Sequence, residues 1–402
     1  MKLAIILLVF LPAHVFAQEH ADRPYSATWG VQAIGLLTHA SPAVRGEPLT
    51  EWYLTQPNLF AHATAHGLEL RATLNLEGLT LTRGELNAGT WGEGYVDRRH
   101  PHTYAHELIG SFRGEAAGLT WSLAAGRGFA PFGTDDPMVR PLLKFPANHH
   151  LAQILERLVA VAAIRRGPAI VELAAFNGDE PLDPNSLGTL DRFGDSWSAR
   201  VTLLPLSGLE VQNSRAFVRS PEQVEDGDID QAKWSVSARS ERAQASDTIY
   251  VLAEWMRTAE VHDGDEVLVL HSALAEASAA RGPWRAAARV ERTLRPESER
   301  TTSIFRFPWP HADATIFGLT RWVNLSLNVS RRLSVKRIDL TPVVEVSHQR
   351  PRATVEPAFF GPEQLFGSDR LWSWSLGLRA AFGAPHKRMG RYGAALVASG
   401  TH

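Results

Sequence analysis

Three histidines fall within seven residues in Arg98-Arg-His-Pro-His-Thr-Tyr-Ala-His-Glu107, and clustered imidazoles are common makings of a zinc site. His100 and His102 can approach one ion across Pro101. On an extended chain, however, His102 and His106 stand about 13 Å apart, at roughly 3.3 Å per residue, too far to share it. His106-Glu107 also lacks the second histidine of the helical zinc-protease motif. His149-His150 reads as a solvated pair or one lining an interior. Asp135-Asp136 and Asp226-Gly-Asp-Ile-Asp230 offer the oxygens calcium prefers, but their spacing matches no calcium loop, so solvated acidic loops are expected. Gly126, Gly128 and Gly133 fall short of a dinucleotide fingerprint, and no Gly-x-Ser-x-Gly elbow occurs. His271 and Ser272 are adjacent on a strand and point to opposite faces. The expectation is no catalytic site, no cofactor and no bound metal.

The elements that carry these residues alternate with a period of two. In residues 68–77, Leu68, Leu70, Ala72, Leu74 and Leu76 alternate with Glu69, Arg71, Thr73, Asn75 and Glu77. A strand sends successive side chains to opposite faces, so one face is apolar and the other polar. About ten such residues, tilted, cross the hydrocarbon of a membrane as one strand of a closed barrel. Trp197, Ala199, Val201 and Leu203 repeat the pattern against Ser198, Arg200 and Thr202. So do Phe317, Leu319, Val323, Leu325, Leu327 and Val329 against Thr320, Asn324, Ser326 and Asn328. Arg321 interrupts that apolar face and is expected near an interface, where its guanidinium can snorkel.

Composition limits the alternatives. The chain has 402 residues, 21% of them charged, a formal net charge of −2 and no cysteine. This argues for a folded protein without general affinity for nucleic acid and without disulfides, thiolate sites or a lipidated cysteine. Lys2, the apolar run 3–11 and Val15-Phe-Ala17 read as a signal peptide over residues 1–17, with the mature chain starting at Gln18. No window approaches the roughly 18 apolar residues of a membrane helix.

About sixteen strands (14–18) are expected along the chain, separated alternately by short turns and longer loops, which marks a transmembrane antiparallel barrel. They lie at 28–38, 58–65, 68–81, 102–114, 119–126, 151–164, 169–176, 196–204, 209–218, 232–243, 248–259, 267–279, 284–294, 315–330, 338–348 and 371–382. Two are poorly patterned. Residues 151–164 are apolar on both faces and follow Asn148, a helix-capping type, so 151–158 could be helical; 267–279 have no clear polar face. Trp29, Trp121, Trp197, Trp234, Trp255, Trp284, Trp372 and Trp374 lie in or beside strands, where membrane-interface girdles place them.

The last strand, Leu371-Trp-Ser-Trp-Ser-Leu-Gly-Leu-Arg-Ala-Ala-Phe382, puts Trp372, Trp374, Leu376, Leu378, Ala380 and Phe382 on one face. It resembles the closing strand of bacterial outer-membrane proteins, which the barrel-assembly machinery reads, and the mature chain as a whole resembles a porin. Here a tail, 383–402, follows that strand. Either Phe382 does not carry the recognition role, or the tail is a periplasmic extension. The resemblance implies that the third long loop, 127–150, folds inward and narrows the pore. Its Phe129, Phe132, Met138, Leu142, Leu143 and Phe145 need a surface to pack on. Asp135, Asp136, Arg140 and Lys144 would then stand in the channel with Arg71, Arg113, Arg200 and Arg239. Rings of fixed charge are how such pores select ions.

The reading is a single barrel domain, 18–382, in the outer membrane. It would serve as a passive channel for small hydrophilic solutes or ions, embedded in outer-membrane lipid and, by resemblance, homotrimeric. Two rivals differ in kind. An outer-membrane barrel enzyme, such as a lipase or protease, would need a nucleophile, base and acid converging at one rim. A secreted soluble all-β binding protein would bury the apolar strand faces in a core.

Overall fold

The computed structural model describes residues 25–42, 46–80, 103–134, 136–181, 185–219, 229–244, 247–297, 318–354, 361–384 and 388–396. Residues 1–17, expected as a signal peptide, and His100, His102, Asp135, Asp226 and Asp228 lie outside them. The first half of the barrel consists of β1 (Tyr25–Ser41), β2 (Leu49–Ala65), β3 (Leu68–Asn75), β4 (Ala105–Ala116), β5 (Leu119–Gly128), β6 (Arg157–Arg166), β7 (Ala169–Phe176), β8 (Ser196–Leu206) and β9 (Leu209–Val218). The second half is β10 (Asp230–Gln244), β11 (Asp247–His262), β12 (Asp265–Arg281), β13 (Trp284–Glu297), β14 (Gly318–Arg331), β15 (Leu333–Val335), β16 (Ile338–Ala353) and β17 (Leu371–Gly383). Each strand pairs antiparallel with its sequence neighbours. The short β15 continues β14 past Arg332, and β1 pairs with both β2 and β17, which closes a sixteen-stranded barrel.

Closure removes the free edges that would otherwise leave backbone groups unpaired in lipid. Tight turns gather at one end. His66-Gly67 and Ala117-Gly118 both have positive φ at both positions (48° and 82°, 51° and 74°), the backbone that matches strand twist in a two-residue hairpin. Long connections gather at the other end, which by the outer-membrane rule faces outside the cell.

Burial is the inverse of a soluble protein's. On β3 the leucines face outward, Leu68 at 58% and Leu70 at 51% exposure, while Thr73 and Asn75 face inward with none. The same holds on β14, with Leu325 and Leu327 outward and Asn324, Ser326 and Asn328 buried inside. A soluble sandwich would bury those leucines, so this pattern removes the soluble rival. Aromatic rings mark both rims. At the tight-turn end Trp29 packs on Phe382 (5.1 Å), Trp121 on Phe112 (5.6 Å), and Arg331 lies over Trp284. At the long-loop end Trp234 meets Trp255 (5.0 Å) and Trp372 meets His348 (4.5 Å).

Three local departures from the sequence expectations have physical causes. First, β2 runs through Pro57, because a bulge that sets Gln56 and Pro57 of β2 opposite Ala33 alone absorbs the missing N–H. Glu77 secures that bulge, accepting from Thr55 Oγ1 (2.5 Å) and the Gln56 amide (2.7 Å). Second, this inward role for Glu77 stops the third strand at Asn75, short of residue 81, and a single turn α1 (Glu77–Thr80) follows. Third, the doubtful stretch 151–164 divides into a helical turn α2 (His149–Ala152) and the strand β6.

Candidate functional site

The candidate site is the barrel's interior, which two segments of the chain itself fill. Residues 129–156, between β5 and β6, turn inward; the second segment, 388–396, enters from the tight-turn end.

The first insert is seated by wall carboxylates that accept from its backbone. Glu345 on β16 takes the amides of Leu143 (2.6 Å) and Lys144 (3.0 Å), and Glu291 on β13 takes that of Ala147 (2.7 Å). Glu254 on β11 accepts from Asn148 Nδ2 (3.1 Å) and Thr134 Oγ1, with Arg140 Nη2 at 3.6 Å. Arg289, held by Glu276 (2.7 Å), donates to the Lys144 carbonyl (2.7 Å), and Lys144 Nζ reaches Ser373. Leu143 packs into an inward apolar patch made by Ile34, Leu36, Tyr53 and Val343. Gly377 leaves room there, since a Cβ on it would meet Val343 and Leu36 within about 3 Å.

The six apolar residues of the loop, Phe129, Phe132, Met138, Leu142, Leu143 and Phe145, are all buried. Asp136 caps a short 3-10 turn, η1 (Pro137–Val139), by accepting from the Met138 amide (2.7 Å). His106 is buried beside Glu156 (Nδ1–Oε1 3.2 Å) and edge-on to Phe129. Among the described residues no group of three or more metal-ligating side chains comes together.

The second insert is the tail: of the two alternatives for it, a periplasmic extension does not describe residues 388–395, which lie buried against the inner wall. Gly383 closes β17 with φ 77°, the Ala384 amide bonds to the Trp29 carbonyl, and the chain then folds back into the barrel. Arg388 makes a two-pronged pair with Glu210 of β9 (2.7 and 3.1 Å). Arg391 approaches Glu172 of β7 (3.5 Å) and Thr202 of β8 (3.2 Å). Wall arginines bind the tail's carbonyls: Arg71 donates to those of Arg391 (2.7 Å) and Arg388 (2.9 Å), and Arg200 to that of Gly390 (2.9 Å). Arg200 is itself fixed by a bidentate pair with Glu172 (2.6 and 2.7 Å). The Ala394 amide donates to Ser122 (2.9 Å), and a Cβ on Gly393 would lie 2.4 Å from Ser122 Cβ.

The two inserts pack on each other. Met389 joins Phe129, Met138 and Phe145 in one apolar cluster. The Tyr392 hydroxyl accepts from the Phe129 amide (3.0 Å) and donates to Glu107 (3.1 Å). Burial first, then the facing Glu107, push that phenol well above its usual range, so it keeps its proton. Burial, assisted by Arg200 and opposed by Glu172, brings Arg391 down to about 9, so it remains a cation at neutral pH. Tyr392→Phe strands one buried donor and one acceptor; it is expected to loosen the tail by about 1–3 kcal/mol, measured as faster trimming of the C-terminus by carboxypeptidase.

Of the sequence-derived candidates, Arg71 and Arg200 meet at the tail, and Arg140 and Lys144 stand on the loop opposite. Arg239 lies beside Glu210 (3.5 Å) and over the Tyr250 ring. Arg113 does not join them. It is half exposed at the tight-turn rim, paired with Glu115 (3.3 Å). The sequence reading missed Glu107, Glu172, Glu210, Glu345, Arg289, Arg388, Arg391 and Tyr392. Inward parity on their strands could have flagged the wall residues; the tail carries no local pattern that predicts where it goes.

A closed antiparallel barrel with an apolar outer band, aromatic rims and a polar interior defines an outer-membrane β-barrel with the porin fold. Among solved structures it is similar to the anion-selective porin from Comamonas acidovorans, with a TM-score of 0.53, 12% identity, 89% of this chain and 100% of that chain. It is also similar to the outer membrane channel DcaP of Acinetobacter baumannii (0.50, 8%, 90% and 97%) and to OmpT, an outer membrane protein of Vibrio cholerae, in its trimer form (0.50, 8%, 90% and 100%). No family model matches the chain, and no curated protein matches it.

Proposed function

We propose that this protein is an outer-membrane channel for small hydrophilic solutes or ions whose own C-terminal segment closes it at rest. The observation that carries the reading is the interior. A polar, charge-lined lumen is what a water-filled pathway requires, and here the segment 388–396 occupies it through contacts with six different strands. Loop 129–156 sets the remaining opening. Arg71, Arg140, Lys144, Arg200 and Arg239, together with Glu107, Glu172, Glu210 and Glu254, are the fixed charges of the wall and the loop and bias which ions pass. No chemical step enters the mechanism. Homotrimer assembly, which the similar trimer form suggests, is checked by cross-linking of the detergent-extracted protein.

The test is single-channel recording of the refolded chain in a planar bilayer under a salt gradient, with a boiled-versus-unboiled gel shift to establish a folded barrel. The full chain is expected to give small, intermittent steps. A folded barrel that conducts neither intact nor without its tail would overturn the channel reading and favour an outer-membrane enzyme.

A further inference from the structure

The outward face of a porin-like barrel is apolar until it reaches the headgroups, yet here one sector of the upper rim is cationic. The strand register brings the charges together. On adjacent strands Trp234 lies between Arg215 and Arg257, Arg257 opposite His271, and Arg321 between Leu294 and Arg352. One row lower, Arg292 lies opposite Ala273 and Val323, and Val323 opposite Arg350. All of these side chains share the outward parity of the lipid-facing leucines and valines on the same strands.

A recess of about 250 Å³ opens in the middle of this sector, lined by Trp255, His271, Ala273, Arg292, Leu294 and Arg321. Its floor is apolar and its edges are two guanidinium groups. Arg257 is neutralised by Glu266 (2.5 Å), and Arg350 faces Asp369 (3.6 Å). Among the described residues Arg292 and Arg321 have no carboxylate partner. Its height follows from the strand. Arg292 is eight residues beyond Trp284 of the lower girdle, roughly 26 Å along the chain at 3.3 Å per residue and about 19 Å upward at a 45° tilt. That is near the top of an apolar band roughly 25 Å tall.

Like charges on neighbouring strands repel, and an arginine on the lipid face costs stability unless it reaches an anion. We infer that this recess binds a phosphorylated glycolipid of the outer leaflet. The phosphate sits between Arg292 and Arg321, and an acyl chain lies down the apolar groove past Ala273 and Val323. Guanidinium pairs grip phosphate oxygens bidentately, and the apolar floor selects a phosphate carried on a lipid.

The experiment is native mass spectrometry of the detergent-purified full chain with diphosphoryl lipid A, fully dephosphorylated lipid A and inorganic phosphate. Expected is retention of the diphosphoryl lipid, at least tenfold weaker retention of the dephosphorylated one, and no displacement by millimolar inorganic phosphate. R292Q with R321Q should lower retention about tenfold, with the gel shift of the folded barrel unchanged, whereas R331Q at the opposite rim should not alter it. Equal retention of the two lipids, displacement by free phosphate, or indifference to R292Q and R321Q made singly or together would each overturn the assignment. None of these readouts depends on the pore conducting.

Discussion

Deleting residues 384–402 is expected to convert small, intermittent conductance into a stable open pore severalfold more conductive, with a reversal potential shifted toward cations. The argument is local. The tail contributes two guanidinium groups, Arg388 on Glu210 and Arg391 on Glu172, and removing it leaves those carboxylates facing the pathway. It also vacates the seat formed by Arg71, Arg200 and Ser122, and uncovers Phe129. Because the deletion ends the chain just after β17, the last strand becomes the terminus, as in the proteins it resembles. Should that chain fail to assemble, R388E with R391E makes the same test in the intact length. Both charges would then face Glu210 and Glu172, and like charges so placed cannot stay docked. Unchanged conductance in a folded variant would show that the tail does not control the pathway.

The tail's attachment suits release. Arg391 is held where burial and Arg200 both work against its charge, and Glu172 must divide its oxygens between the two arginines. A buried ion pair of this kind adds little net stability while fixing one geometry. Apolar contacts add to these: Met389 packs with Phe129, Met138 and Phe145, Tyr392 joins the cluster around Ile109 and Phe132, and Ala394 and Ala395 pack on Ala163, Ile170 and Leu204. Because the tail meets the wall through side chains and not through strand pairing, it can leave without disturbing the barrel wall, whose strands are paired independently of it.

Most of the wall was legible because its cause is local. Alternation such as Leu68 to Asn75 reports a two-faced strand wherever it occurs, and turns such as His66-Gly67 announce themselves through residues that tolerate positive φ. The sequence suggested a soluble or a lipid-facing outer surface equally from one strand, and only repetition favoured lipid. The stretch 267–279 read poorly for a physical reason. Leu270 and Leu274 of β12 are buried facing inward, and Leu274 packs with Leu252 and Tyr250 of β11, so the interior face there is apolar too. The tail was illegible because Arg388, Gly390, Arg391 and Tyr392 acquire meaning only from Glu210, Arg200, Glu172 and Glu107, which lie more than a hundred residues earlier. No period or motif within a short window can encode such pairings.

Glu345→Ala is expected to produce the second large effect, on the loop and not the tail. Glu345 is buried on β16 and accepts from three donors: the amides of Leu143 and Lys144 and the side chain of Asn328 (3.0 Å). Alanine offers none of these oxygens, and a buried donor without an acceptor costs ~1–3 kcal/mol, so the loss should be about 3 kcal/mol after partial rescue by water. Leu143 keeps its apolar patch, which limits the damage to the loop and leaves the β16 pairings with β14 and β17 intact. The measurable consequences are a lower temperature for collapse of the unboiled gel band and noisier channel currents, because the loop that sets the opening is no longer pinned. Glu345→Gln retains one carbonyl oxygen and should fall between the two. If alanine and glutamine behave alike, the carboxylate does not anchor the loop, and the apolar seat of Leu143 would have to hold it alone.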